Sequence, residues 1–188
     1  TFRDLGCVVE DVRPDFAPER LWQTWLTHRH WATAAGMRAL YDDPRTRAQL
    51  KPEIVWEIEG GLSISGLQLA AAATARAEWY STLRLLFQRF DALVLPSAQV
   101  FPFDAGIHWP AEVAGRRMDT YHRWMEVVIG GTLSGCPVAC VPAGFDPRGL
   151  PMGMQLIGPM HADMALLRLA AAYEQASGWT QRQPPLGA

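Results

Sequence analysis

A chain of 188 residues, 49% of them hydrophobic, is long enough to bury roughly 70% of the surface its unfolded form exposes, so a real core is available to it. Seventeen basic against nineteen acidic residues give a formal net charge of -2 without any run of like charge, which excludes the electrostatic footprint of a nucleic-acid or anionic-membrane binder and leaves a neutral small molecule or a protein as partner. No apolar run reaches the ~20 residues of a spanning helix, and Cys7, Cys136 and Cys140 lack a framework spacing, which points to free thiols and a cytoplasmic setting.

The chain opens without Met, as a cut beginning would, and Leu5 to Val12 reads as a short strand. Asp15 is the expected cap of a helix with Pro18 in its first turn, whose core face is Leu21, Trp22, Trp25 and Leu26 and which runs to about Tyr41. Asp43 before Pro44 starts another helix, and Pro52 to Glu59 forms a third that Gly60-Gly61 should end. Ser65-Gly66-Leu67-Gln68 has the form of a capping box, followed by a long helix with an apolar stripe at Trp79, Leu83, Leu86, Phe87 and Phe90.

Ala92 to Pro96 is an unbroken apolar run, the pattern of a strand buried on both faces in a mainly parallel sheet, so helix followed by strand reads as α/β. From Ser97 to about Met118 no period is present, and a loop of that length commonly lines a site. Asp119 is expected to cap a helix from Thr120 to about Leu133. Pro137–Pro142 and Met152–Gly158 are two strands joined by a turn at Asp146–Gly149. Ala162 to Ser177 is the last helix, stopped by Gly178, and Pro184-Pro185 marks a tail. Leu93, Leu95, Val138, Val141, Leu156 and Ile157 should share one sheet, covered by the helices that begin near Ser65, Asp119 and Ala162.

Several residues invite chemistry and resist it. Lys51 stands at a polar helix end rather than in the desolvated setting a lysine base needs. His28 and His30 are two apart and fall on different helix faces, as surface histidines do. Cys136 and Cys140 have no third Cys or His beside them in sequence, so small core residues explain them better than zinc does. The serines of Gly60–Gly66 are separated by Ile64 and read as helix capping.

The segments Phe90–Ser97, Gly135–Phe145 and Gly149–Gly158, in that order and spacing, resemble the C-terminal third of amidase signature family hydrolases. Leu5–Val9 is similar to the segment after that family's central region, and Leu166–Ala170 with Glu174 to its closing helix. The resemblance implies part of an α/β/α sandwich with a mixed sheet, and carboxamide hydrolysis by a Ser, cis-Ser, Lys triad without cofactor or metal. Those catalytic groups belong to the family's N-terminal half, and none matches a position here. What the resemblance leaves to this chain, residues 1–188, is a wall of the substrate pocket, for which Trp109, Tyr121, Trp124 and Thr132 are the candidates. Thr132 stands where many relatives carry Asn. The expected partners are a small-molecule amide, the N-terminal half of the same protein and a second copy of the chain, since a surface that meets a missing half would be apolar. Two rival readings are a non-catalytic binding or scaffold domain of the same fold, and a thiol hydrolase using Cys136 with His122 or His161.

Overall fold

The computed structural model describes residues 1–182; Pro184 and Pro185 lie outside the described residues. The chain divides into two compact units, one formed by Asp15–Thr82 and the other by Thr1–Pro14 together with the chain from Leu83 onward.

The first unit is helical. Helix α1 (Pro18–Asp42) starts with proline at its first position and Ala17 as its cap, so Asp15 does not cap it; proline pre-sets the helical φ and has no N–H to satisfy. Trp22 is fully buried and stacks on Trp25 at 5.4 Å. Helix α2 (Pro44–Arg47) is capped by Asp43, whose carboxylate accepts the Arg45 N–H at 2.9 Å. Helix α3 (Pro52–Leu62) continues through Gly60 and Gly61 rather than stopping at them. The reason is packing: a Cβ on Gly60 would strike the His30 ring and one on Gly61 the His30 carbonyl, so the glycines let α1 and α3 approach closely. Glu57 of α3 is wholly buried, accepting from Arg29 Nε at 2.9 Å and Thr33 Oγ1 at 2.8 Å on α1. His28 and His30 are half-buried rather than surface residues, and His30 packs edge-on to Trp56 at 4.4 Å. Helix α4 (Gly66–Leu86) opens on the expected reciprocal capping box, with the Ser65 N–H donating to Gln68 Oε1 at 2.8 Å and the Gln68 N–H to Ser65 Oγ at 3.2 Å. Its residues through Thr82 belong to this unit.

The second unit is built on a sheet. Its first residues form a turn, with the Leu5 N–H donating to the Thr1 carbonyl at 3.0 Å, followed by chain outside any ladder, so the expected strand at Leu5–Val12 is absent. Strands β1 (Leu93–Pro96), β4 (Val138–Phe145) and β5 (Pro151–Ile157) pair in the order β1-β5-β4. Both pairings are antiparallel. The parallel, doubly buried reading of Ala92–Pro96 is therefore corrected: β1 is an edge among the described strands, with Val94 46% and Leu95 36% exposed. An apolar run reports burial only when neighbours flank it on every side.

The β4–β5 hairpin closes on Asp146, whose Oδ1 accepts the N–H groups of Arg148 and Leu150, each at 2.9 Å, while Gly149 takes the positive φ of 81° that the turn requires. The register slips between Pro142 and Gly144, a bulge at which the Gly144 backbone faces Trp179. Helix α6 (Asp163–Ser177) covers one face, where Leu166, Ala170 and Tyr173 bury against Val141 and Leu156. On the other face lies helix α5 (Ile129–Ser134), where Gly131 is in near contact with Gln155, Val138 and Ile157. Helices on both faces of a sheet make this unit α/β.

Between β1 and residue 122 the chain is irregular apart from a ribbon of β2 (Glu112–Val113) and β3 (Arg116–Arg117). Its turn residues Ala114 and Gly115 both have positive φ, the twist a two-residue hairpin favours. The helix expected from Thr120 to Leu133 is split into a 3₁₀ segment, Arg123–Val128, followed by α5. Two tertiary bonds account for the break: the Val127 N–H donates to Gln99 Oε1 at 3.0 Å, and the Val127 carbonyl accepts from Gln155 Nε2 at 3.1 Å. Asp119 therefore does not cap a regular helix; its carboxylate pairs with Arg123.

Candidate functional site

In the second unit a cleft of about 270 Å³ opens where the end of β1, the irregular loop, the 3₁₀ segment and the start of β5 meet. Residues 97–98, 100–103 and 151–153 line it together with Trp124. No lining side chain is charged. Ser97 continues the β1–β5 pairing by donating its N–H to the Gly153 carbonyl at 3.0 Å. A Cβ on Gly153 would come within 2.6 Å of Ser97 Oγ, so the absent side chain keeps the hydroxyl where it is. Phe103 meets Trp124 edge to face at 5.5 Å, a geometry that aromatic quadrupoles favour.

The wall is held from behind by polar bonds. Gln155, 2% exposed, donates through Nε2 to the Pro96 carbonyl at 2.9 Å and the Val127 carbonyl at 3.1 Å. One side chain thus joins the residue before Ser97 to the segment that carries Trp124. Arg123, adjacent to Trp124, is 4% exposed. It donates to Asp119 at 3.0 and 3.2 Å and to Glu126 at 3.4 Å, and Glu126 also accepts from Arg116 at 2.9 Å. The hydrogen bond from Arg123 holds the Asp119 carboxyl below the ordinary carboxylate range.

The four sequence candidates separate in space. Trp124 lines the cleft. Trp109 and Tyr121 meet edge to face at 5.8 Å, with His108 4.8 Å from Trp109, and form an aromatic group outside the cleft lining. Thr132 is exposed on α5 and donates to the Val128 carbonyl at 3.2 Å. Trp109, Tyr121 and Trp124 are half-buried; the exposed apolar side chains of this unit include Val94, Leu95, Phe101, Phe103 and Val138. The irregular loop that begins at Ser97 contributes residues 97–98 and 100–103 to the cleft lining, whereas the part taken by Met152 and Gly153 has no local signal in the sequence, because strand pairing creates their neighbourhood. Lys51 is exposed at the cap of α3, and the three cysteines are free thiols. Among the described residues no three or more His, Cys, Asp or Glu gather as a metal ion would need, and no helix is long and apolar enough to cross a membrane.

Known proteins share this fold. The family described as Amidase matches residues 4–167. A glutamyl-tRNA(Gln) amidotransferase subunit of Picosynechococcus sp. is 38% identical over 100 residues, which cover 53% of this chain and 19% of that protein. The corresponding protein of Gloeothece citriformis is 39% identical over 100 residues, covering 53% and 20%. A bacterial aryl acylamidase belonging to the amidase signature enzymes superposes with a TM-score of 0.82 at 29% identity over 96% of this chain and 39% of that one. A crystal structure of an amidase superposes at 0.80 with 20% identity, over 93% and 39%. The chain thus spans about a fifth of these curated relatives and two fifths of these solved chains. With the match running across most of its length, the chain belongs to the amidase family.

Proposed function

We propose that this chain is the C-terminal region of an amide hydrolase and supplies the cleft wall to an active site whose nucleophile, relay and base stand in a preceding segment. The observation that carries this reading is the family match over residues 4–167 together with coverage of only 39% of a solved relative. The chain offers no adjacent serine pair, and its one lysine is the exposed Lys51. In the mechanism the family resemblance implies, the serine attacks the carbonyl, the bridging serine passes the proton, and a neutral lysine receives it. This region's contribution is to seat and orient the amide, because a fold without those groups confers no chemistry. Apolar side chains exposed on the two outer strands of the sheet, Val94 and Leu95 on β1 and Val138 on β4, support a further part of the reading: they are covered by the preceding segment, or in its absence by a second copy.

Purified chain incubated with benzamide and propionamide is expected to release no ammonia, whereas the polypeptide of the complete reading frame does. Turnover by the chain alone, lost on mutating a residue within it, refutes the placement of the catalytic groups. Light scattering across a dilution series should find a dimer or larger species. A strictly monomeric chain that binds no hydrophobic dye favours a self-sufficient binding domain instead.

A further inference from the structure

Helix α6 is apolar on two faces, and the sheet covers one of them. Leu166, Ala170 and Tyr173 bury against Val141 and Leu156, while Met164 and Leu167, 63% and 55% exposed, form an outer row with the exposed Ala171. Between Asp163 and Glu174 the helix carries a single charge, Arg168. A surface helix ordinarily sets polar side chains opposite its buried stripe, and one that is apolar on both sides is covered on both. The outer row has the spacing of a coiled-coil seam, stepping by three residues from Met164 to Leu167 and by four to Ala171. Its two edges carry opposite charges: Asp163 precedes Met164 on one edge and Arg168 follows Leu167 on the other, five positions along the chain. Both are exposed, and neither makes a salt bridge or a side-chain hydrogen bond among the described residues.

The charges on the edges decide what covers the row. When two copies of a helix pair antiparallel about a two-fold axis, each edge of the seam meets the same edge of the other copy, which puts Arg168 with Arg168 and Asp163 with Asp163. When they pair in parallel, each edge meets the opposite edge with an offset of five residues, which sets Asp163 of each copy against Arg168 of the other. We propose that the outer face of α6 is a self-association surface on which a second copy of this chain docks its own α6 in parallel. Met164, Leu167 and Ala171 meet their counterparts along the axis, and two Asp163–Arg168 pairs close the sides. Glu174 takes the next place in the row, so the seam ends at Ala171 and the helices diverge beyond it. A contact of about two turns falls short of the ~1,200 Å² buried by stable interfaces, and the dimer is accordingly weak and concentration-dependent. This surface is independent of the amide-hydrolase reading and of the apolar side chains on the outer strands.

The test is sedimentation equilibrium of the 188-residue chain and its α6 variants across a concentration series. Leu167→Glu should remove one step of association, a dimer becoming a monomer or a tetramer a dimer. Asp163→Arg and Arg168→Asp should each weaken that step about tenfold, since an exposed pair contributes up to about fivefold, reversal adds repulsion, and the two-fold supplies two pairs. The double variant Asp163→Arg/Arg168→Asp should regain the parent's constant. That recovery separates a pair between copies from the loss of an acidic residue in the first turn of α6, which the second reversal does not repair. On oxidation Leu167→Cys should cross-link to its counterpart faster than Ala165→Cys, an exposed position off the seam, and faster than the parent with its three free thiols. All four substituted positions are exposed, and an unchanged far-ultraviolet circular dichroism spectrum checks that each variant is folded. A monomeric parent, a double variant no tighter than the single ones, or equal cross-linking at 165 and 167 overturns the proposal. Association that survives Leu167→Glu and falls with Val138→Glu assigns the contact to the outer strands of the sheet and overturns it too.

Discussion

Replacing Gln155 by methionine keeps the side-chain volume and removes two hydrogen bonds from a residue that is 2% exposed, those to the Pro96 and Val127 carbonyls at 2.9 and 3.1 Å. Each such bond contributes about 0.5–1.5 kcal/mol net, and a buried carbonyl left unpaired costs about 1–3 kcal/mol. The Pro96 carbonyl adjoins the open cleft at Ser97, where water can replace the amide, so the full penalty applies mainly at Val127. The expected loss is therefore about 2–4 kcal/mol. For a chain of this length that corresponds to a fall in melting temperature of about 4–16 °C. Urea unfolding followed by near-ultraviolet circular dichroism measures it, and hydrogen exchange at the Val127 and Val128 amides should quicken in the variant. A loss below about 0.5 kcal/mol with unchanged exchange would refute the idea that Gln155 fastens the 3₁₀ segment to the sheet.

Gly61→Ala should destabilise the helical unit by about 2 kcal/mol, although alanine is worth ~1 kcal/mol more than glycine inside a helix, because its Cβ meets the His30 backbone; an unchanged or higher melting temperature contradicts the α1–α3 contact. Asp119 has its carboxyl lowered by the Arg123 hydrogen bond, so it contributes stability above the unfolded carboxylate value of about 3.9 and loses it as pH falls through the lower folded value. Its side chain is 57% exposed, and solvent screening keeps that contribution under about 1 kcal/mol. Asp119→Asn should accordingly lower stability at pH 7 and flatten the acid limb of a stability–pH curve, and a limb as steep as the parent's removes the assignment. Tyr173→Phe should cost about 1 kcal/mol by deleting the bond from its hydroxyl to the Pro142 carbonyl at 3.1 Å, seen as a shifted urea midpoint with the same slope; no shift means the bond is replaced by water.

Where structure is set within a few residues, it is legible in the sequence. Asp43 before Pro44, the Ser65–Gln68 box, the Asp146–Gly149 turn and Gly178 after α6 each act through their own backbone neighbours, and each stands where its residue types indicate. What requires partners distant in sequence is not legible. The 3₁₀ segment exists because Gln99 and Gln155 take the Val127 amide and carbonyl from positions 28 residues away on either side, and neither glutamine is distinguishable in sequence from a surface one. The continuation of α3 through two glycines depends on the His30 backbone opposite it. The apolar run of β1 overstates its burial, because such a run does not say how many strands flank it. Of the cleft, the loop and Trp124 are visible in the sequence, while Ser97 and Gly153 come together only through the β1–β5 register.

The bulge in β4 bears on how that strand's outer edge can be used. Between Val138 and Val141 the strand keeps an uninterrupted register with β5, whereas Pro142 carries no N–H and the chain swings out of step at Gly144. A strand arriving at this edge would find a short template and then a fault, so docking there is confined to one end and extended end-to-end stacking of sheets into fibres is blocked. Straightening the fault, by replacing Pro142 and closing the register at Gly144, would turn a selective edge into an adhesive one.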